Sequence, residues 1–358
     1  MNESESSGDG PASRPARRPR YRGTHPRDFR DKYKERDLQT HPEIAAHLRA
    51  KGRTPAGSHV PVMTEQVLAH LHPSPGEIVI DCTVGCGGHA MEFARRIAPA
   101  GRLIALDVDG VELERTRVRL GQTPAPVSFH RGNFAGVGNV LAKEGLDGCD
   151  VLFADLGVSS MQIDDPDRGM SYKHDGPLDL RMDDRLKRTG ADLIQSVDED
   201  TLAQALRDLA DEPDAEAIAR AIVRRRSERP VTQTLQLVEL VLAAKGLTAE
   251  TWRKQRAAHP GLLHPAARTF QTLRILVNDE LGCLKKLLAL APYCLRPGGR
   301  VGIISFHSGE DRLVKQSFRE GLHSDLYHAA CEDVIVPRPD DVASNPRSAS
   351  AKFRWAAR

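Results

Sequence analysis

Three short apolar runs in this chain each end in an aspartate. Ile78-Val79-Ile80 runs into Asp81, Leu103-Ile104-Ala105-Leu106 into Asp107, and Val151-Leu152-Phe153-Ala154 into Asp155. Runs of this length without polar alternation read as strands covered on both faces. Residues 127–130 and 301–306 read as two more strands. The segments between the first four, residues 89–97 and 112–120, carry helical spacing instead, and residues 62–71 read as an amphipathic helix entered through Pro61. Strands alternating with helices predict an α/β fold with a parallel, doubly wound sheet. Ligands of such sheets sit beyond the carboxyl ends of the strands, where these acids stand.

The alternation stops after Asp155. Residues 165–262 hold no convincing strand, and residues 202–209, 215–226 and 234–244 read as helices. This block has two electrically opposite halves: residues 192–216 carry nine acids and one Arg, residues 217–256 nine Lys+Arg and three acids. Residues 268–290 then read as one long helix, Pro297-Gly298-Gly299 as a turn and residues 352–358 as a last strand. The expected organisation is a sheet domain in two parts, 58–164 and 263–358, interrupted by a helical insertion at 165–262.

Residues 1–57 are different in kind. Residues 1–56 hold 13 Lys+Arg against 8 Asp+Glu, and little that is apolar, so a disordered basic arm is expected. A solvated tail and an electrostatic arm for RNA phosphates are both open for it. With 40% hydrophobic and 28% charged residues, the chain as a whole is neither fibrous nor wholly disordered. It contains no run of about 18 apolar residues, so no membrane span is expected. The polar start is no secretory signal. Six cysteines without a C-x-x-C pair fit a reducing, cytoplasmic location and predict neither a disulfide framework nor a metal site.

The first strand leads into Asp81-Cys82-Thr83-Val84-Gly85-Cys86-Gly87-Gly88-His89. Glycines bring bare backbone N–H groups close to a ligand, and the helix that follows adds partial positive charge. Asp107, about 20 residues on, is placed to accept ribose hydroxyls. Gly85-x-Gly87-x-x-Ala90 also fits a dinucleotide fingerprint, so an NAD-dependent oxidoreductase stays open, as does a packing turn without ligand. Strand-end acids at 81, 107 and 155 favour a cationic ligand such as S-adenosylmethionine.

Longer motifs narrow the choice. Asp155-Leu156-Gly157-Val158-Ser159-Ser160-Met161-Gln162-Ile163-Asp164-Asp165 is followed by Arg168-Gly169-Met170-Ser171 and by Asp175-Gly176-Pro177-Leu178-Asp179-Leu180-Arg181-Met182-Asp183. His264-Pro265-Ala266-Ala267-Arg268-Thr269-Phe270-Gln271, Ile304-Ser305-Phe306-His307-Ser308 with Glu310-Asp311-Arg312, and Asn345-Pro346-Arg347 come in order after them. Together these stretches resemble the ribosomal RNA small subunit methyltransferase H family, which methylates N4 of a cytidine in 16S rRNA. Gly309 departs from the family's usual Leu, and Cys82 from its usual Gly.

The resemblance implies a class I S-adenosylmethionine-dependent methyltransferase fold, a Rossmann-like sheet with an inserted helical domain. It implies S-adenosyl-L-methionine as methyl donor and the small ribosomal subunit as partner. Carried over, the donor contacts are Gly87, Gly88, His89, Asp107, Phe134, Asp155 and Gln162. Asp155 is also the candidate catalytic residue, and its two roles, proton acceptor and donor contact, stay open. Arg168, Arg181, Arg268, His307 and Arg312 are the candidate substrate-binding residues, with surface ion pairing as the alternative for each arginine. Residues 215–226 are expected to bury Ile218, Ala221 and Ile222 and to leave Arg220, Arg224 and Arg225 outside, as a solvated helix face or, with the resemblance, as a surface for the rRNA backbone. A catalytically silent RNA-binding factor on the same fold is the remaining alternative.

Overall fold

The runs that end in aspartate form β1 (Ile78–Asp81), β2 (Arg102–Asp107) and β4 (Cys149–Asp155), joined by β3 (Val127–Arg131) and β5 (Leu295–Ser305). These five strands are parallel. Two more, β6 (Ala329–Ala330) and β7 (Lys352–Ala357), close the sheet in antiparallel fashion, giving the order β3-β2-β1-β4-β5-β7-β6. The computed structural model describes residues 61–358, so the arm expected over residues 1–57 lies outside the described residues.

Strands β1, β2 and β4 and the second half of β5 are apolar along most of their length because successive side chains enter different cores. Ile80, Ile104, Leu106, Leu152, Ala154 and Ile303 face one core, with α4 (Val137–Lys143), α12 (Glu280–Cys294) and α13 (Ser308–His323) over it. Val79, Leu103, Ala105, Val151, Phe153 and Ile304 face the other, covered by α1 (Thr64–Leu71), α2 (Gly88–Ile97) and α3 (Gly110–Leu120). Phe93 and Phe153 meet edge to face at 5.3 Å in that second core, both fully buried. Truncating either to Ala is expected to cost about 3–5 kcal/mol.

Between β4 and β5 the chain is helical: α5 (Ser160–Asp164), α6 (Gly190–Ser196), α7 (Glu199–Ala210), α8 (Ala215–Glu228), α9 (Thr234–Ala244), α10 (Ala249–Ala258) and α11 (Ala267–Asn278). Residues from Met170 to Leu273 share a third core of their own. In α8 the buried stripe is Ala215, Ile218, Ala219 and Ile222, while Ala221 is only half-buried, a shift of one position from the expected face.

Two expectations fail here. The single helix over 268–290 is two helices, α11 and α12, separated at Asp279 with φ 49° and ψ 42°. Asp is one of the few non-glycine residues that tolerates this left-handed geometry. Nothing like Gly or Pro marks the break in the sequence. The turn at Pro297-Gly298-Gly299 lies inside β5: pairing slips from Cys149↔Leu295 to Val151↔Arg300, and the extra residues bulge around Gly298 at φ +79°. A short helix before β7, α14 (Pro339–Ser344), completes the described chain.

Candidate active site

The sheet gathers three carboxyl groups at one end. Asp81 and Asp155 close the neighbouring strands β1 and β4, and Asp107 closes β2 on the other side of β1. Thr83 ties two of these strand ends together, its Oγ1 accepting the Asp155 N–H at 2.7 Å. Cys82 N–H donates to Phe153 O and Val84 N–H to Leu106 O, both at 2.8 Å, so the loop after β1 extends the ladders on both sides. Gly87 follows with φ +79°, and a Cβ there would stand 2.9 Å from Thr116 Cγ2. A Cβ on Gly88 would come within 2.4 Å of Pro61 Cγ. Both glycines are therefore needed for the chain to enter α2 along this path.

Each acid is poorly compensated. Burial pushes the Asp81 carboxyl up to about 7, with the Asp107 charge adding to the effect against a hydrogen bond from Thr83. Burial likewise raises Asp107 to about 6, although its oxygens accept the Gly85 N–H at 2.7 Å and the Asp109 N–H at 2.9 Å. Asp155 rises to about 8 through burial and the nearby Asp81 and Glu310 charges. Its Oδ1 is buried without a hydrogen-bond partner. Among the described residues, no Lys or Arg pairs with any of the three. His89 Nδ1 stands 3.8 Å from Asp155 Oδ2, but burial lowers the His89 ring to about 4, and its Nε2 is engaged with Val62 O at 2.9 Å. His89 is thus an uncharged wall of the crevice, its ring tilted against Phe153 with centroids 4.7 Å apart, while Gly87 occupies the helix cap position.

A fourth acid, Asp109, organises the rim. Its Oδ1 caps α3 by accepting the N–H groups of Val111 at 3.0 Å and Glu112 at 3.2 Å. Its Oδ2 accepts from Gln162 Nε2 at 3.0 Å and from Arg168 Nη2 at 2.6 Å. Gln162 in turn closes a capping box with Ser159 at the start of α5. The segment after β4 is in this way moored to the segment after β2, across the crevice. Position 109, an acid just before a helical pattern, carried a capping signal that the sequence reading left unused.

On the far side, β5 leads to His307, the cap of α13. His307 Nδ1 accepts the Glu310 N–H at 3.4 Å, and Glu310 Oε2 accepts the Phe306 N–H at 2.8 Å and the His307 N–H at 3.3 Å. Burial pushes the Glu310 carboxyl up, but His307 and the backbone donors outweigh it and hold the group below its ordinary range. His307 Nε2 lies 3.2 Å from Glu310 Oε1, the contact by which the ring favours the ionised carboxylate.

The remaining candidates separate. Phe134 opens a short 3₁₀ turn after β3, half-buried against the core under α12. Arg168 belongs to the rim through Asp109. Arg181 clasps Asp179 with two bonds of 2.7 Å and donates to Leu186 O at 2.6 Å, so its guanidinium is committed to its own loop. Arg268 donates to the carbonyl of Asp211 at the end of α7. Arg312 is exposed on the first turn of α13. Among the described residues, no cluster of three metal-ligating side chains occurs, and no helix is long and apolar enough to cross a membrane.

The arrangement places three buried carboxyl groups beside a glycine loop, Asp107 among them with its oxygens turned to backbone N–H groups. Comparisons with known proteins then give the family. The chain is 40% identical to ribosomal RNA small subunit methyltransferase H 1 of Lachnoclostridium phytofermentans over 95% of its own length and 92% of that protein's. It is 42% identical to ribosomal RNA small subunit methyltransferase H of Symbiobacterium thermophilum, covering 83% and 95%. The protein of the same name from Geobacter sulfurreducens is 41% identical over 84% and 98%. Residues 56–358 match one family model along its course, and the chain belongs to the MraW methylase family.

Proposed function

We propose that this protein transfers a methyl group from S-adenosyl-L-methionine to N4 of a cytidine in 16S rRNA, acting on the small ribosomal subunit in the cytoplasm. The observation that carries the reading is the unneutralised trio Asp81, Asp107 and Asp155 around the glycine loop, in a chain of this family. A cavity lined by desolvated acids without a basic partner is complementary to a ligand bearing an ammonium and a sulfonium. When bound, that ligand supplies a methyl group already activated for displacement.

The chain's own residues do the rest. Gly87 and Gly88 let the backbone approach the ligand, and His89 walls the crevice without adding a charge. Each Asp107 oxygen accepts one backbone N–H and keeps a lone pair for a ribose hydroxyl. Phe134 lies against the adenine, and Gln162 fixes the rim through Asp109. Asp155 Oδ1 accepts a hydrogen bond from N4–H, turns the nitrogen lone pair out of conjugation with the ring, and takes the proton that N4 sheds once methylated. Positioning and electrostatics of this kind, rather than covalent chemistry, account for the rate.

Residues 165–262 serve in this reading as the RNA-recognition part, inserted between methyltransferase parts at 58–164 and 263–358. The target base must leave its stack to reach the crevice. Arg312 and the outer face of α8 offer charge for phosphates. Tritiated-methyl transfer to small subunits, with mass mapping of the modified nucleosides in 16S rRNA, tests the assignment. Label in a single N4-methylcytidine is the expected result. Label absent from cytidine, with S-adenosylmethionine bound, would overturn it.

A further inference from the structure

One side chain at the end of α11 reaches across to the segment after β4. Asn278 is the last residue of that helix, just before the left-handed Asp279. Its Oδ1 accepts the Met182 N–H at 2.8 Å, and its Nδ2 donates to Leu180 O at 2.8 Å and to Arg274 O at 2.9 Å. Both amide hydrogens and the carbonyl oxygen are thereby used, and the reversed amide would set its oxygen against two carbonyls. Residues 180 and 182 flank Arg181, so the Asn278 amide clasps the backbone on both sides of it.

The clasp falls where the backbone needs holding. Leu180 is fully buried and left-handed, with φ +66°. A bulky residue persists in that region only where its surroundings over-determine it. The Leu180 N–H donates to Arg168 O at 3.0 Å. Gly169 lies so close to the same segment that a Cβ on it would collide with Pro177 O. Arg168 Nη1 donates to Met182 O at 3.4 Å, and its Nη2 to Asp109 Oδ2 at 2.6 Å. The main chain and the side chain of Arg168 are therefore both registered on residues 180 and 182, the two that Asn278 holds. From Asp109 the path is one bond longer: its N–H donates to Asp107 Oδ1 at 2.9 Å.

Resting on the donor-binding reading above, we propose that Asn278 is a positioning residue for S-adenosylmethionine: its amide sets residues 180–182, which aim Arg168 at Asp109 and so fix the rim beside Asp107. Asn278 stands at the seam between the two parts of the molecule. Leu276 and Val277 before it pack on the core of the helical insertion, and α12 after it covers the sheet. Among short side chains only an amide accepts one backbone N–H while donating to two carbonyls. Asp has no donor to offer, and Ser has one.

A thermodynamic cycle on donor affinity tests this. Calorimetric affinity for S-adenosylmethionine and the denaturation midpoint are measured for the wild-type protein, Asn278→Ala, Arg168→Ala and the double variant. Asn278→Ala is expected to weaken donor binding about tenfold in the otherwise wild-type chain and less than about twofold once Arg168 is replaced. The midpoint is expected to fall in both backgrounds, because the bond to Arg274 O is lost in each. A residue that only stabilised the fold would move the midpoints and leave the affinity of the folded protein alone. Unchanged affinity in Asn278→Ala or in Arg168→Ala, or an equal loss with and without Arg168, would overturn the proposal. If Asn278→Ala does not fold, Asn278→Ser takes its place in the cycle with the same expected and contrary results. Its hydroxyl can keep the bond to Arg274 O, as Thr272 Oγ1 bonds Arg268 O at 3.0 Å one turn earlier, and gives up only the bonds to residues 180 and 182. A wild-type protein that binds no S-adenosylmethionine refutes the donor-binding reading instead, so the two failures are distinct.

Discussion

His89 and Asp155 face each other at 3.8 Å without forming an ion pair. Burial keeps the imidazole uncharged, with its lone pair toward a carboxyl that burial and neighbouring acids push to about 8. The folded protein thus binds a proton at Asp155 more tightly than the unfolded chain, where the group titrates near ~3.9. Its stabilising effect is full below that value and is lost as pH rises toward 8. Asp155→Asn, neutral at every pH, is expected to raise the melting temperature of the ligand-free protein at pH 8 by ~2 °C or more and to change it little at pH 4. The same variant is expected to lose methyl transfer by ~10²-fold or more. Retention of activity within tenfold would remove Asp155 from both its catalytic and its donor-binding role.

The trio of acids also ties donor binding to protons. Asp81 at about 7, Asp107 at about 6 and Asp155 at about 8 are partly protonated at neutral pH in the free protein. An arriving cation favours their ionised forms, so binding releases protons. Affinity for S-adenosylmethionine is expected to rise from pH 6 to pH 7.5, below the range where the ligand's own α-amino group titrates, at ~7.7–8.0. Calorimetry in buffers of different ionisation enthalpy reads the release directly. Net proton uptake, or affinity flat across this range, would contradict the picture.

Asp109 offers a separable test of the rim. Asp109→Ala removes the α3 cap, a loss of ~0.5–2 kcal/mol, and frees Gln162 and Arg168. Donor affinity is expected to fall in Asp109→Ala and in Arg168→Ala, but with less than additive loss in the double variant because the two share one bond. Additive losses would mean that Arg168 acts elsewhere, on RNA. Equilibrium dialysis with labelled S-adenosylmethionine and chemical denaturation separate affinity from stability.

The parallel sheet was legible because period-2 alternation disappears in β1, β2 and β4, covered on both faces, and because each of these three strands ends in an aspartate. Asp81, Asp107 and Asp155 followed from that pattern alone. The break at Asp279 was not legible, since a left-handed aspartate leaves no compositional mark. Nor were the fates of Arg181 and Arg268, whose carbonyl and carboxylate partners are chosen by the folding of loops rather than by spacing. The moorings at Asp109 join positions 53 and 59 residues apart, a link that only the assembled crevice reveals.

The arginines of α8 divide by what they touch. Arg226 Nη1 reaches the carbonyls of Ile194 and Val197 at the end of α6, where it satisfies groups a helix end leaves bare. Arg220 and Arg224 make only loose exposed pairs, with Glu199 at 3.5 Å and Glu228 at 3.9 Å. Such pairs are worth ~0–1 kcal/mol, so their loss is tolerated. Arg220→Glu with Arg224→Glu is therefore expected to leave melting temperature and donor affinity unchanged. It is also expected to weaken binding to 16S rRNA and to flatten the dependence of log affinity on log salt by ~1–2 units. Arg226→Ala is expected to do the opposite, lowering the melting temperature while sparing the salt slope of the folded fraction. Filter binding across a salt series, beside calorimetry with the donor, distinguishes the two. An unchanged slope in the double glutamate variant would place the rRNA backbone on another face.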